Sequence, residues 1–326
     1  MVAQLARRLL AGMAVIVGVV TLTFVLIRLA PGDPVERLLG PTATPAQLVA
    51  QRQALGLDRP VVAQYAAWVG RFASGDWGRS IATGRPVRAV LGDAVPATVE
   101  LIGLSLALSY LLGLAVGVWQ AGAGGRIDTT LSVTTVTLFA LPGYWLGLML
   151  VMTFTYWARW LPAFGAAGVD ADALTGWSRL ADRLRHLALP LATLTLIGIG
   201  GTARYVRGAV RDVLGQPFVR TAEAKGLSPF RVMRRHVARN AMTPIVTLLG
   251  LSLPALFSGA VFVEAVFAWP GVGRRLVEAV QARDYPVVLA ATAVTATLVV
   301  ASNLLADAAV AWLDPRVRHA RREAAR

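Results

Sequence analysis

Residues 101–125 read Leu-Ile-Gly-Leu-Ser-Leu-Ala-Leu-Ser-Tyr-Leu-Leu-Gly-Leu-Ala-Val-Gly-Val-Trp-Gln-Ala-Gly-Ala-Gly-Gly, which is 25 positions without a charged side chain. A helix of this length extends about 37 Å and exceeds the roughly 30 Å hydrocarbon layer of a bilayer. Further uncharged stretches occupy residues 10–27, 129–158, 187–203, 241–263 and 285–306. The sequence therefore predicts an all-α integral membrane protein with six transmembrane helices.

The composition supports a membrane location. Of 326 residues, 56% are hydrophobic and 15% are charged, and the mean hydropathy is +0.60. Soluble domains are about 45–50% apolar and about 25% charged, so a water-soluble enzyme is excluded. The net charge of +14 is carried between the apolar stretches, which favours membrane lipid over nucleic acid as a partner. The absence of cysteine excludes a disulfide framework and a Cys-based zinc site.

Catalytic motifs are missing from the chain. A nucleotide-binding P-loop needs Gly-Lys-Ser/Thr, but the only lysine, Lys225, stands in Glu-Ala-Lys-Gly. The three histidines are far apart in sequence, so a metal site is not expected. An intramembrane serine protease at Ser258 is disfavoured because Leu256 occupies the position where glycine is expected. We therefore expect no catalytic residue, no metal and no cofactor in this chain.

The apolar stretches divide the chain into four parts. Residues 1–27 form an N-terminal anchor helix, retained because its apolar run exceeds the ~7–15 residues of a signal peptide. Residues 28–96 form an extracytoplasmic segment with short helices, expected to pack over the mouth of the bundle. Residues 97–306 form a five-helix transmembrane core that contains a cytoplasmic loop at 204–240, and residues 307–326 form a cytoplasmic tail. The distribution of Lys and Arg in the short loops favours both termini in the cytoplasm.

Local signals predict two short helices in the extracytoplasmic segment. Thr44 and Gln47 match a capping box at the start of the first helix, and Gly56 can end it. Asp58 is placed to cap the second helix, over residues 61–72.

The cytoplasmic loop contains a predicted helix, a glycine turn and a second helix. Residues 217–225 form the first helix, Gly226 ends it, and Ser228 followed by Pro229 starts the second. An apolar stripe at helical spacing is expected to bury the residues Phe230, Met233, Val237 and Ala241. The many basic residues of this loop also suit anionic lipid headgroups, so its function stays open on composition alone.

Polar and aromatic residues mark the ends of the predicted spans. Glu100 lies at the edge of one span, where an interfacial position is favoured over a functional intramembrane carboxylate. Aromatic side chains expected at the outer interface are Tyr156, Trp157, Trp160 and Phe164.

Short motifs occur in order along the whole chain. They are residues 23–34, Gly-Asp-Trp-Gly-Arg-Ser at 75–80, Pro-Ala-Thr-Val-Glu-Leu at 96–101, Gly-Gln-Pro-Phe-Val-Arg-Thr-Ala-Glu-Ala-Lys-Gly-Leu-Ser at 215–228, Arg-Asn-Ala at 239–241 with Pro244, Glu-Ala-Val-Phe-Ala-Trp-Pro-Gly at 264–271, Ala-Arg-Asp-Tyr-Pro at 282–286, and Asp-Pro-Arg at 314–316. In order and spacing they resemble the permease subunits of peptide/nickel ABC importers, specifically the dipeptide/oligopeptide permease B type.

This resemblance implies the type I ABC importer permease fold and transport by alternating access. It also implies a second homologous permease subunit, two cytoplasmic ATP-binding subunits that bind ATP and Mg, and an extracytoplasmic solute-binding protein. The location implied is the cytoplasmic (inner) membrane of a bacterium or archaeon.

The resemblance further implies that the loop couples the permease to the ATPase. The family motif is Glu-Ala-Ala, three residues and Gly; aligned on Gly226, it places arginine at the glutamate position. The coupling residues implied are Arg220, Thr221, Ala222, Glu223, Ala224, Lys225, Gly226, Leu227 and Ser228. Glu223 stands where this branch more often has arginine, so the ion pairs to the ATPase are expected to differ locally.

Alternatives remain at this point. An ATP-independent secondary transporter or channel would need paired intramembrane charges or inverted repeats, and neither is found in the sequence. A membrane-anchored scaffold is the other class. Among importers, nickel chelates and glutathione remain alternatives to di- and oligopeptides, and no substrate-binding residue is identified.

Overall fold

The computed structural model describes residues 2–29, 35, 39–40, 42–54, 56–242, 245 and 259–313. In these ranges the regular structure is helical, with a single β-bridge between Arg79 and Pro86. The helices are α1 (Val2–Leu29), α2 (Pro45–Ala54), α3 (Val61–Ala73), α4 (Val87–Ala123), α5 (Gly125–Ala140), α6 (Gly143–Val151), α7 (Gly176–Leu214), α8 (Pro217–Ala224), α9 (Pro229–Val232), α10 (Val272–Ala282) and α11 (Tyr285–Leu313).

Four of the predicted spans correspond to single long helices, namely α1, α4, α7 and α11. Of these, α4 ends at Ala123, two residues before the end of the span predicted at 101–125. Each helix extends beyond its uncharged stretch at one end or both, since backbone hydrogen bonding persists where charged side chains reach water. Most of the predicted span at 241–263 lies outside the described residues, as do positions 30–34, Pro244 and the motif at 314–316.

The third predicted span, residues 129–158, is not one continuous helix. α5 and the helix that starts at Gly143 are bent by 103° at a short break. Leu141 has an extended backbone, with φ −69° and ψ 134°, because the following Pro142 disfavours the helical conformation. α6 then continues as a π-helical turn at Met152–Trp157. A straight helix of this length would also have exceeded the bilayer, at roughly 45 Å.

The chain divides into two compact units. Unit 1 comprises Met1–Thr98 and Pro270–Val300, and unit 2 comprises Val99–Trp269 and Ala301–Arg326. The core of unit 1 is formed where α4, α10 and α11 meet, by the buried residues Val87, Leu91, Ala94, Val272, Ala279, Val287, Val288, Ala290 and Ala291.

Two of the sequence motifs meet in unit 1 around the buried carboxylate of Asp284. It accepts hydrogen bonds from the Ser80 hydroxyl and from the backbone N–H groups of Ile81 (3.1 Å) and Ala82 (3.2 Å). The Ser80 oxygen in turn accepts from the Thr83 N–H at 3.0 Å. The carboxylate therefore holds the turn at residues 80–83 against the start of α11.

The short helices of unit 1 test the capping predictions. The capping box of α2 is confirmed: the Thr44 N–H donates to Gln47 Oε1 at 2.9 Å, and the Gln47 N–H donates to Thr44 Oγ1 at 3.3 Å. Gly56 follows with φ +65°. The prediction for Asp58 was wrong, because α3 starts after Pro60 without a side-chain cap. Pro60 is already extended, at φ −53° and ψ 140°, so the chain enters α3 directly from it.

Small residues bring the long helices of unit 2 close together. A Cβ added at Gly117 of α4 would lie 2.6 Å from the carbonyl oxygen of Ala203 in α7. At Gly200 of α7 it would lie 2.6 Å from the carbonyl oxygen of Thr135 in α5. Backbones therefore approach each other where glycine leaves room, as in other membrane helix pairs.

Candidate functional site

The coupling residues predicted from sequence lie in a compact structure after α7, which we call the elbow and define as residues 217–232. It comprises α8, the turn at Gly226 and α9. Gln216 is the extended N-cap of α8, and Pro217 occupies the first helical position, where its missing N–H costs nothing. The predicted helix, glycine turn and second helix are confirmed.

The turn at Gly226 is a Schellman motif. The Leu227 N–H donates to the Ala222 carbonyl at 3.3 Å, and the Gly226 N–H donates to the Glu223 carbonyl at 2.9 Å. Gly226 has φ +78°, a left-handed conformation that only glycine adopts without a steric cost. Glycine is therefore required by the backbone at this position, and a Cβ there would meet no neighbour within 4 Å.

α8 presents two different faces. Val219 and Ala222 are buried, whereas Arg220, Thr221, Glu223, Ala224 and Lys225 are exposed. Of the predicted coupling residues after the helix, Gly226 and Ser228 are exposed and Leu227 is half-buried. The structure thus brings the nine predicted residues together on one elbow, with a small buried anchor and a largely polar outer surface.

An apolar cluster, which we call the elbow cluster, lies beneath that surface. It consists of Ala121, Val206, Val210, Val219, Ala222, Val232, Val237, Ala241 and Ile245. These residues come from the end of α4, from α7, from both helices of the elbow and from the chain that follows. Leu227 packs against the cluster from the turn. The elbow is consequently attached to two long helices through side-chain packing and not only through the chain.

The stripe predicted for the second helix was wrong at Phe230. This side chain is 74% exposed, and Val232 is buried in its place. A π-helical turn follows at Met233–Val237, in which the Ala238 N–H donates to the Met233 carbonyl. Its wider turn brings Val232 and Val237, five positions apart, onto the same buried side. The predicted stripe assumed an α-helical period and so placed Phe230 on the buried side. Phe230 and Phe218, which is 41% exposed, are both surface aromatics.

An ion-pair cluster joins α5 to α7, one of the helices that carry the elbow cluster. Asp128, near the start of α5, accepts hydrogen bonds from Arg207 Nε at 2.6 Å and from Arg211 Nη2 at 2.7 Å. A second Arg207 nitrogen donates to the other carboxylate oxygen at 2.7 Å. The Asp128 side chain is only 13% exposed, so solvent screens these contacts weakly.

Glu100 has a cationic partner in unit 2. Its two carboxylate oxygens accept hydrogen bonds from Nε and Nη2 of Arg183 in α7. The Arg183 guanidinium also lies 5.5 Å from the ring centroid of Trp269. The charge of the carboxylate is therefore balanced within the protein. The two residues are 83 positions apart, so the sequence did not predict this contact.

Comparison with known proteins places this geometry in context. Residues 109–319 match the family described as binding-protein-dependent transport system inner membrane component, and residues 1–102 match the corresponding N-terminal family. Among solved structures, a chain of the MetNI methionine ABC transporter in inward-facing conformations is similar with a TM-score of 0.53 at 17% identity. The alignment covers 70% of this chain and 98% of that chain, which supports the type I ABC importer permease fold.

Similar full-length proteins are known from several bacteria. The oligopeptide transport system permease protein AppB of Bacillus subtilis is 35% identical over 98% of this chain and 100% of its own length. The di/tripeptide transport system permease protein DppB of Pseudomonas aeruginosa is 38% identical, with the same coverage. The oligopeptide transport system permease protein OppB of Mycobacterium bovis is 37% identical over 98% of this chain and 99% of its own length.

Proposed function

This chain belongs to the family of binding-protein-dependent transport system inner membrane components, and we propose that it carries di- or oligopeptides as one permease subunit of an ATP-driven importer. It is a multi-pass inner-membrane protein and is not itself catalytic. The observation that carries the peptide assignment is the 35–38% identity over 98% of the chain to peptide permeases.

Members of this family act with ATPase and solute-binding partners. For this chain we propose a second homologous permease, two cytoplasmic ATP-binding subunits and an extracytoplasmic solute-binding protein. ATP and Mg bind to the ATPase subunits, since the only lysine of this chain is not in a P-loop. Both termini then face the cytoplasm, in agreement with the basic residues of the elbow and the tail.

The elbow is the element through which the ATPase moves the permease. Its exposed residues Arg220, Thr221, Glu223, Ala224 and Lys225 form the docking surface, together with Gly226, Leu227 and Ser228 at the turn. Ala222 and Val219 anchor this surface to α4 and α7 through the elbow cluster. Two ATPase states that press differently on the elbow favour different permease conformations, which is the requirement for alternating access.

Reconstitution tests this function. The chain alone in liposomes is expected to move no peptide, whereas the complex with its permease, ATPase and binding-protein partners takes up peptide only with ATP. Peptide flux through the chain alone would contradict the proposal. Parallel uptake assays with a nickel chelate and with glutathione test the substrate class. Preference for either of them over peptides would contradict the assignment of peptides as the substrate.

A further inference from the structure

α3, in the segment between α1 and α4, has one continuous aliphatic side that is exposed. Its sequence, Val-Val-Ala-Gln-Tyr-Ala-Ala-Trp-Val-Gly-Arg-Phe-Ala, contains one charged residue, Arg71. At 100° per residue, one continuous side of the helix consists of Val62, Ala66, Val69 and Ala73 together with Ala63 and Gly70. All six are exposed, with Val62 at 80% and Val69 at 40%. A continuous aliphatic side of a helix is normally covered by an apolar medium or by protein.

The opposite side of α3 packs against other residues of unit 1. Trp68 stacks on Phe72 and Phe72 stacks on Trp77, with ring centroids 4.9 and 5.0 Å apart. Phe72 and Trp77 pack against the core of unit 1. The aromatic side therefore fixes the rotation of α3 about its axis, and the aliphatic side points away from the protein.

Contacts with α1 give the depth of α3 relative to the bilayer. Tyr65 packs edge-on against Phe24, at a centroid distance of 5.1 Å, and its hydroxyl lies 2.5 Å from Thr21 Oγ1. Phe24 also contacts the guanidinium of Arg28, which marks the end of the membrane-spanning part of α1. Phe24 lies about 6 Å below Arg28 along the helix axis. α3 is thus held at the level where the hydrocarbon meets the headgroups.

We propose that α3 is an interfacial helix whose aliphatic side, formed by Val62, Ala66, Val69 and Ala73, contacts lipid acyl chains. The same depth of α1 presents Leu22, Val25 and Leu26, which are 42–60% exposed, so the apolar surface continues from the spanning helix onto α3. The protein covers the aromatic side, and Arg71 lies on the side of α3 away from Val62, so the aliphatic side can face lipid while the charge stays out of the hydrocarbon. With the N-terminus in the cytoplasm, this is the outer leaflet. The extracytoplasmic segment then rests on lipid at α3.

Site-directed spin labelling tests the proposal directly. The native chain contains no cysteine, so V62C, A66C and V69C each introduce one labelling site in this subunit. The assembled complex is reconstituted in liposomes of phosphatidylcholine and phosphatidylglycerol, and a nitroxide is attached. Power saturation then compares collisions with oxygen, which concentrates in hydrocarbon, and with a water-soluble nickel chelate. The complex without an introduced cysteine, labelled in parallel, gives the background from the partner subunits.

Labels at positions 62, 66 and 69 are expected to collide more with oxygen than with the nickel chelate, as a label on L22C does. A label on D58C, which is exposed before α3, is expected to show the opposite preference. Peptide uptake by each labelled complex verifies assembly. Nickel-dominated collisions at 62 and 69 would overturn the proposal in favour of a water-exposed helix. Low collision rates with both reagents would overturn it in favour of a protein partner, such as the second permease subunit.

Discussion

The turn at Gly226 offers a sharp test of the elbow as the coupling element. Its φ of +78° is disfavoured for any residue with a Cβ, at a cost of about 1–2 kcal/mol. An added Cβ would meet no atom within 4 Å, so the cost is confined to the backbone and includes no clash. A penalty of this size changes the population of the native turn by a factor of roughly 5–30. Substitution at Gly226 therefore perturbs the geometry of the elbow without disturbing the core.

The graded series Gly226→Asn, Gly226→Ala and Gly226→Val separates backbone strain from side-chain chemistry. Asparagine tolerates the left-handed region, alanine tolerates it less, and a β-branched residue least. We expect peptide-stimulated ATP hydrolysis and uptake by the assembled complex to fall in that order, while basal hydrolysis by the ATPase subunits stays unchanged.

Gly208→Ala is the matched control. Gly208 is exposed in the interior of α7, and a Cβ there also meets no atom within 4 Å, but its φ is helical. Alanine is expected to preserve coupling and to stabilise α7 by about 0.5–1 kcal/mol. Unchanged stimulation and uptake in Gly226→Val, in a complex that assembles normally, would refute the role of the elbow.

Further substitutions test the packing that supports the site. Asp128→Asn deprives two arginines of their carboxylate and is expected to lower the Tm in detergent; an unchanged Tm would contradict the ion-pair cluster. Asp284→Asn weakens the turn at residues 80–83 by about 1–3 kcal/mol, so limited proteolysis should cleave near that turn faster than in the parent chain. Gly117→Ala forces α4 and α7 apart and is expected to lower stability by about 1–3 kcal/mol, whereas Gly103→Ala, where a Cβ meets nothing within 4 Å, should cause no loss of stability.

The membrane helices were predictable because their physics is local. Within hydrocarbon, every backbone polar group must find a partner inside its own segment, so an uncharged run such as 101–125 forms a helix. The ends of the helices were harder to predict from the sequence. α7, for example, begins at Gly176, and its first turns contain charged residues, which an apolar pattern does not detect. The break at Pro142 was hidden in an unbroken uncharged run, although proline itself was the local signal.

The elbow shows the same division between local and distant causes. The helix starting at Pro217 and the turn at Gly226 were predicted, because capping depends on residues a few positions apart. The exposure of Phe230 was not, because the π-helical turn that follows changes the period on which the prediction relied. Asp128 pairs with Arg207, which is 79 positions away, and the residues next to either one in the sequence give no indication of this ion pair.

The elbow cluster has a mechanical consequence for the importer. Val219 and Ala222 share their packing with Val206 and Val210, which lie on the same helix as the contact at Gly200. Sliding α8 along α7 would open voids between close-packed side chains, and interiors at this density resist such deformation. In the proposed importer, we therefore expect a displacement of the elbow to move α7 with it and not to be absorbed by local bending.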